Sequence, residues 1–371
     1  MKKVISIFIT LFILFSVSVV SVNAEENMIY DMSEIYENIS PQARQSLERI
    51  GVYSVDYDEL SQLSFSAIID EISNIATDNI SAPLKGLVTI ISLLLLSSIL
   101  YSYKNNLSDT SSTVLNITTV LCITSAIAIS AVDMIKVTSN VIDSASKIML
   151  AYIPVMVVIM STAGQGVSGS SYYSMMIAAG EGIGQLSSKV IVPFLNMFLG
   201  LSITSSVSPD INLSGFINII SKTIKWLLAF GMTIFTTVLS IKQLLTSSLD
   251  TVSSRAIKFT LNSFVPIVGS ALADAYKTVQ GSVVILKSGV GVFVIISVAV
   301  VFLPVIIQTI MWIITLWIGK STAEVLNLNQ IAKLLESVST VFSTLLAVSL
   351  CIMSIYIIST AIVLIAGGGR S

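Results

Sequence analysis

Apolar residues recur along most of this chain in blocks far longer than the short alternating or one-faced patterns of a water-soluble core. The blocks are Gly86–Tyr103, Val114–Val132, Ile148–Ala163, Met175–Leu201, Phe216–Ile241, Leu261–Leu286, Gly289–Ile318 and Val341–Ala366. An apolar helix needs about 20 residues to cross a bilayer, and in hydrocarbon it must satisfy its own backbone hydrogen bonds. The pattern therefore predicts an all-α, polytopic membrane bundle of about six to eight spanning helices, depending on whether the shorter Pro-containing pieces cross or re-enter.

The chain ahead of the bundle reads differently. Lys2 and Lys3 precede an apolar run from Val4 to Val20, and Val22-Asn23-Ala24 then gives a small-x-Ala end. Those are the parts of a secretory signal peptide over residues 1–24, with an uncleaved first membrane helix as the alternative. Residues 25–84 form the one polar region, expected to be an acidic helical domain outside the cytoplasm. Ser40 and Pro41 make an N-cap and first turn, and Gly51 makes a stop, so a short helix is expected over 41–50. A second, amphipathic helix is expected from about Glu59 to Asn79, with Leu60, Leu63, Ile68, Ile72 and Ile75 at helical spacing. So small a core should lean on the multi-pass domain, residues 85–371, or on a partner.

Composition sharpens this picture. Of 371 residues 54% are hydrophobic and 11% charged, against about a quarter charged in soluble domains. Within 25–84 the acids far outnumber the bases, which are Arg44 and Arg49 alone. An acidic head on a near-neutral body argues against nucleic acid as a partner, because phosphate neutralisation needs clustered Lys and Arg. The chain has no histidine, which removes the usual general base and the commonest metal ligand. Cys122 and Cys351 lie inside apolar runs and read as small buried hydrophobes. No GxSxG elbow, no carboxylate pair at ligand spacing and no phosphate-binding glycine-lysine loop is present. The expectation is a non-enzyme with no catalytic, metal or cofactor-binding residues and no cofactor.

The segment from Ser263 to Gly281, SFVPIVGSALADAYKTVQG, departs most from a lipid-facing helix. Pro266 removes a backbone donor, Gly269 weakens the helix, and Asp274 and Lys277 would each cost about 2.5–3.5 kcal/mol at a bilayer centre. Glu181 and Lys189, flanked by Gly180, Gly182 and Pro193, are a similar set further upstream. These six residues, Glu181, Lys189, Pro266, Gly269, Asp274 and Lys277, are candidates to line a pathway. The alternative is that Glu181 with Lys189, and Asp274 with Lys277, are local ion pairs that lock helices together. Pro193 and Pro304, and the Asn-Leu steps at 212 and 327, suggest an internal duplication over 147–250 and 258–366. Paired interrupted helices of that kind line midplane cavities in transporters. The GQGVSGSS run after Ala163 reads as a flexible connector. Basic residues divide evenly between the expected inner and outer loops, Lys287 falling among the outer ones, so charge does not fix the orientation.

The run FVPIVGSALADAYKTVQGSVVILKSGVGV, from Phe264 to Val292, resembles the characteristic region of the stage III sporulation protein AE family of endospore-forming bacteria. The likeness extends over nearly the whole chain, including the LERIGV helix end in the head. It implies a subunit of a channel or feeding complex, set in the mother-cell membrane around the forespore and needed for late forespore development. The implied partners are the other stage III A sporulation proteins, including a secretion-type ATPase and ring proteins between the two membranes. An independent small-solute permease is the competing expectation.

Overall fold

The computed structural model describes residues 33–53, 60, 63–102, 109–207, 214–264 and 269–368. The signal-peptide reading, Pro266 and the Asn-Leu step at 212 lie outside them. Among the described residues the chain is all-α, with no strand.

The head contains α1 (Ser33–Asn38), α2 (Pro41–Arg49) and α3 (Phe65–Asn79). The punctuation of α2 is as expected. Ser40 accepts a hydrogen bond from the Ala43 amide at 3.3 Å, Pro41 opens the helix, and Gly51 closes it at φ +90°. Within the expected 59–79 stretch Leu60 is helical, residues 63–64 are not, and α3 runs from Phe65 to Asn79. This head rests on the membrane helices that follow, and its buried residues Ile35, Leu47 and Leu60 join the same apolar core as theirs.

Helices α4 (Ser81–Ser102), α5 (Asp109–Thr162), α6 (Gly166–Leu186), α7 (Val192–Val207), α8 (Ser214–Phe264), α9 (Gly269–Val325) and α10 (Asn329–Gly368) make the body. A π-helical turn, Ser187–Ile191, joins α6 to α7. Helices α4, α5, α8, α9 and α10 carry stretches long and apolar enough to cross a membrane. A shorter apolar stretch runs from Lys189 to Thr204.

The division into spans differs from the expected one. Val114–Val132 and Ile148–Ala163 are not separate crossings but parts of the single 54-residue helix α5. At 1.5 Å per residue such a helix is about 80 Å long, more than twice the hydrocarbon thickness of about 30 Å. The intervening sequence contains neither Gly nor Pro, and Asp143 pairs with Lys147 one turn on at 2.7 Å. Nothing in it breaks a helix, and the ion pair at i,i+4 favours one. Helix α9 likewise runs without a break from Gly269 through Pro304 to Val325, so most of the expected 261–286 segment is the first part of a longer helix.

Helices α9 and α10 form the centre, packed as a hairpin against α5. Within its most apolar window α9 is 61% buried, whereas the corresponding window of α8 is 6% buried. The close approach of α4 to α9 depends on Gly86, where an added Cβ would stand 2.5 Å from the Trp312 ring. Polar contacts join the helices inside the bundle: the hydroxyls of Ser146 and Tyr356 lie 2.7 Å apart, and those of Ser221 and Thr344 2.8 Å. In a membrane the hydrophobic effect does not hold helix to helix, so small residues and interhelical hydrogen bonds of this kind do.

The two cysteines differ from expectation. Cys351 is half-buried, but Cys122 is exposed on the outside of the bundle. An apolar neighbourhood in sequence does not distinguish a core-facing from a lipid-facing position.

Candidate functional site

The most concentrated polar chemistry in the body surrounds the turn between α5 and α6. Helix α5 ends with Gly164 in the left-handed region, φ +76°. The Gly164 amide donates to Ser161 O at 3.0 Å and the Gln165 amide to Met160 O at 2.8 Å. This nested pair closes the helix and leaves Gly to occupy the conformation that a Cβ would strain.

Helix α6 then starts with exposed donors, as every helix does. It has no acid in its own first turn. Asp250 of α8 supplies one, although it lies more than 80 residues further on. Its two carboxylate oxygens accept from the Val167 amide at 3.0 Å and the Ser168 amide at 2.9 Å. The Ser168 hydroxyl reaches Thr246 Oγ1, one turn earlier on α8, at 3.2 Å. Asp250 is 5% exposed. A carboxylate bonded by backbone amides at a helix N-terminus is stabilised both by charge-assisted hydrogen bonds and by the helix dipole.

A cation holds the other side of the same turn. Lys287 of α9 is 1% exposed and donates to Gln165 Oε1 at 3.1 Å. That glutamine is the residue between Gly164 and the start of α6, and its carbonyl accepts from the Gly169 amide at 2.8 Å. A break between two helices is thus gripped by an acid on the first turn of α6 and a base on the Gln165 side chain, each from a different helix. Interrupted helices are tolerated at membrane depth when other polypeptide satisfies the freed groups, and this turn meets that condition. The GQGVSGSS run is accordingly not a loose connector: helix α6 begins within it at Gly166.

The residues singled out from sequence lie elsewhere. Glu181 is exposed on α6, and Lys189 is exposed in the π-helical turn, where it donates to Gln185 Oε1 at 3.4 Å. Among the described residues no ion pair joins the two. Eight residues of helix separate their Cα atoms by about 12 Å, too far for a short carboxylate to bridge easily. Gly269 opens α9, and Asp274 and Lys277 lie on its next turns; the side chains of Asp274 and Lys277 fall outside the described residues. Asp250, Lys287 and Gln165 were missed. Asp250 stands among Ser and Thr and reads as a solvated position, while Lys287 reads as a loop residue beside Ser288 and Gly289. A buried charge inside an apolar block, as in ILKSGVGV, is the signal that could have identified Lys287.

Among the described residues no group of Cys, Asp and Glu is placed to hold a metal ion. The site is an arrangement of helix ends and buried charges, suited to fixing or hinging a helix pair.

Comparison with known proteins adds the family. The model of the family described as Stage III sporulation protein AE matches residues 54–367. The Stage III sporulation protein AE of Bacillus subtilis (strain 168) is 25% identical over 158 residues, which cover 43% of this chain and 40% of that relative. The alignment thus spans less than half the relative's length. No solved structure matches. With a family match that takes in the end of the head and all the helices of the body, this chain belongs to the stage III sporulation protein AE family.

Proposed function

We propose that this chain is a non-enzymatic, multi-pass membrane subunit of a sporulation complex that connects mother cell and forespore. Its helical body sits in the mother-cell membrane and forms or scaffolds the conduit, and its acidic head faces the space between the two membranes as a docking surface. The observation that carries this reading is membership of a sporulation family, over a body whose helices α4, α5, α8, α9 and α10 have membrane-spanning length and apolarity. In this reading a secretion-type ATPase on the cytoplasmic side supplies energy that this chain, with no phosphate-binding loop, does not. Ring-forming subunits dock above it.

The internal duplication belongs to the same proposal: Lys147 and Pro154 of one half correspond to Lys258 and Pro266 of the other, and Pro193 to Pro304. Glu181 and Asp274, one from each half, are candidate pathway residues.

The experiment is co-purification from sporulating cells, comparing the full chain with one lacking residues 25–79 but keeping the first 24. The full chain should bring down other stage III sporulation subunits, and the shortened chain should lose the ring-forming ones. If the full chain associates with none of them, or moves solute unaided in liposomes, the subunit reading falls.

A further inference from the structure

Helix α5 carries a row of charge at a depth where the helices beside it are apolar. Asp133, Lys136, Asn140, Asp143 and Lys147 are all exposed. On a wheel of 3.6 residues per turn they fall within about 80° of one another, on a single face. Asp143 and Lys147 remain 62% and 59% exposed although they pair with each other.

Contacts between helices fix the depth of that row. Antiparallel α9 and α10 meet where Gly291 packs on Leu364 and where the Trp312 ring lies 5.8 Å from Phe342. Between those contacts neither helix has a charged residue, and α9 rises about 32 Å, one hydrocarbon thickness. Ser146 of α5 meets Tyr356 inside that interval at 2.7 Å, and Tyr152 faces Thr360, so α5 runs parallel to α10. Asp143 and Lys147 therefore stand near mid-depth, and Asp133 near one edge. Helix α8 is placed by Ser221 on Thr344 at 2.8 Å and by Cys351 Sγ on Leu228 O at 3.6 Å. Its Lys222 and Lys225 stand toward the same edge, where long basic side chains reach the headgroups. From Trp226 to Ile241 it has no charge. At one depth, then, the α8 side of the bundle fits lipid, and the α5 side would put ions into hydrocarbon, which is costly. Helix α6 flanks the row: Gly180 packs on Leu150, which brings the exposed Glu181 to the same depth.

We infer that the α5 row from Asp133 to Lys147, with Glu181 beside it, lines a water-filled passage through the membrane. The inference rests on the reading of this chain as a conduit subunit and says which face is the wall. Asp133 and Asp143 are matched in number by Lys136 and Lys147, so the row has no net charge of its own. Rings of one sign select ions of the other, whereas a balanced row fits small hydrophilic solutes of either sign. Water is favoured over a partner helix because Asp143 and Lys147 already meet each other at 2.7 Å. Their charges are matched within the chain, and what they still lack is hydration.

The test is thiol labelling of the full chain in membranes from sporulating cells, opened by sonication so that both faces meet the charged reagent sulfonatoethyl methanethiosulfonate. Asn140→Cys reports on the row and Ala229→Cys on the exposed face of α8 at closely matching depth; mass spectrometry of the labelled peptides separates them from Cys122 and Cys351. Only a hydrated thiol ionises and reacts, so Asn140→Cys should label at least about tenfold faster than Ala229→Cys. Lys136→Cys serves if Asn140→Cys fails to accumulate. Slow labelling at both positions would overturn the assignment, because the row would then be covered by lipid or protein. Fast labelling at both would overturn it too, by placing this depth outside the membrane. So would labelling at 140 that becomes fast only after detergent dissolves the complex, the mark of a partner's contact. A chain that gives any of these results yet still co-purifies with stage III sporulation subunits keeps the subunit reading and loses only this wall.

Discussion

The turn after α5 and the turn after α9 have the same backbone and opposite support. Each closes its helix with a nested pair of hydrogen bonds: Gln165 to Met160 with Gly164 to Ser161, and Leu328 to Ala323 with Asn327 to Glu324. Each places one residue in the left-handed region, Gly164 at φ +76° and Asn327 at φ +58°. The turn after α9 is secured from nearby, by Lys320, which pairs with Glu324 one turn on and with Glu336 on α10. These acids are more than half exposed. The turn after α5 is secured from afar, by nearly inaccessible Asp250 and Lys287 on two other helices. A helix reversal can thus be a local matter or the meeting point of a tertiary network, and the backbone alone does not say which.

The sharpest break in this comparison is Asp250→Ala. It leaves the Val167 and Ser168 amides without their acceptors in a buried place, at about 1–3 kcal/mol for each unsatisfied group. Thermal unfolding of the purified protein in detergent should show a large loss of stability, with Asp250→Asn recovering part of it. No change with Ala would mean that the carboxylate does not hold α6. Next in size is Gly164→Ala, which puts a Cβ on a left-handed residue and should cost about 1–2 kcal/mol. Its counterpart Asn327→Gly should move the midpoint little, because glycine adopts that conformation freely. Equal losses from the two would erase the distinction between the turns.

Legibility followed the same division between near and far. The Ser40-Pro41 start and Gly51 stop of α2 could be read because cap, proline and glycine act on the residues next to them. The all-α character of the body was equally plain, since an apolar block carries its own evidence. The joining of two blocks into α5 was less visible: polar residues from Asp133 to Lys147 look like a loop until the absence of Gly and Pro is weighed. The direction of the α3 stripe was not legible, because hydrophobic periodicity gives a stripe and not where it points: Ile75 is buried, while Ile68 and Ile72 are exposed. The grip on the α5–α6 turn was invisible for a different reason. Asp250 and Lys287 acquire meaning only from positions 82 to 122 residues away in sequence.

The smallest effect should come from Lys320→Ala, and its smallness is informative. Lys320 is 24% exposed and meets Glu324 at 3.7 Å and Glu336 at 3.3 Å. Exposed pairs of this kind contribute about 0.2–1 kcal/mol, because solvent screens them and two long side chains must be ordered. The nested backbone bonds at Asn327 and the buried contacts of Leu328, Ile331 and Leu335 remain without the lysine. The unfolding midpoint of Lys320→Ala should therefore fall only slightly, and the difference from the parent should shrink further in high salt, as pairs beyond the reach of burial do. A loss as large as that of Asp250→Ala, insensitive to salt, would show that both reversals depend on charge to the same degree, and the turn after α5 would no longer be the special one.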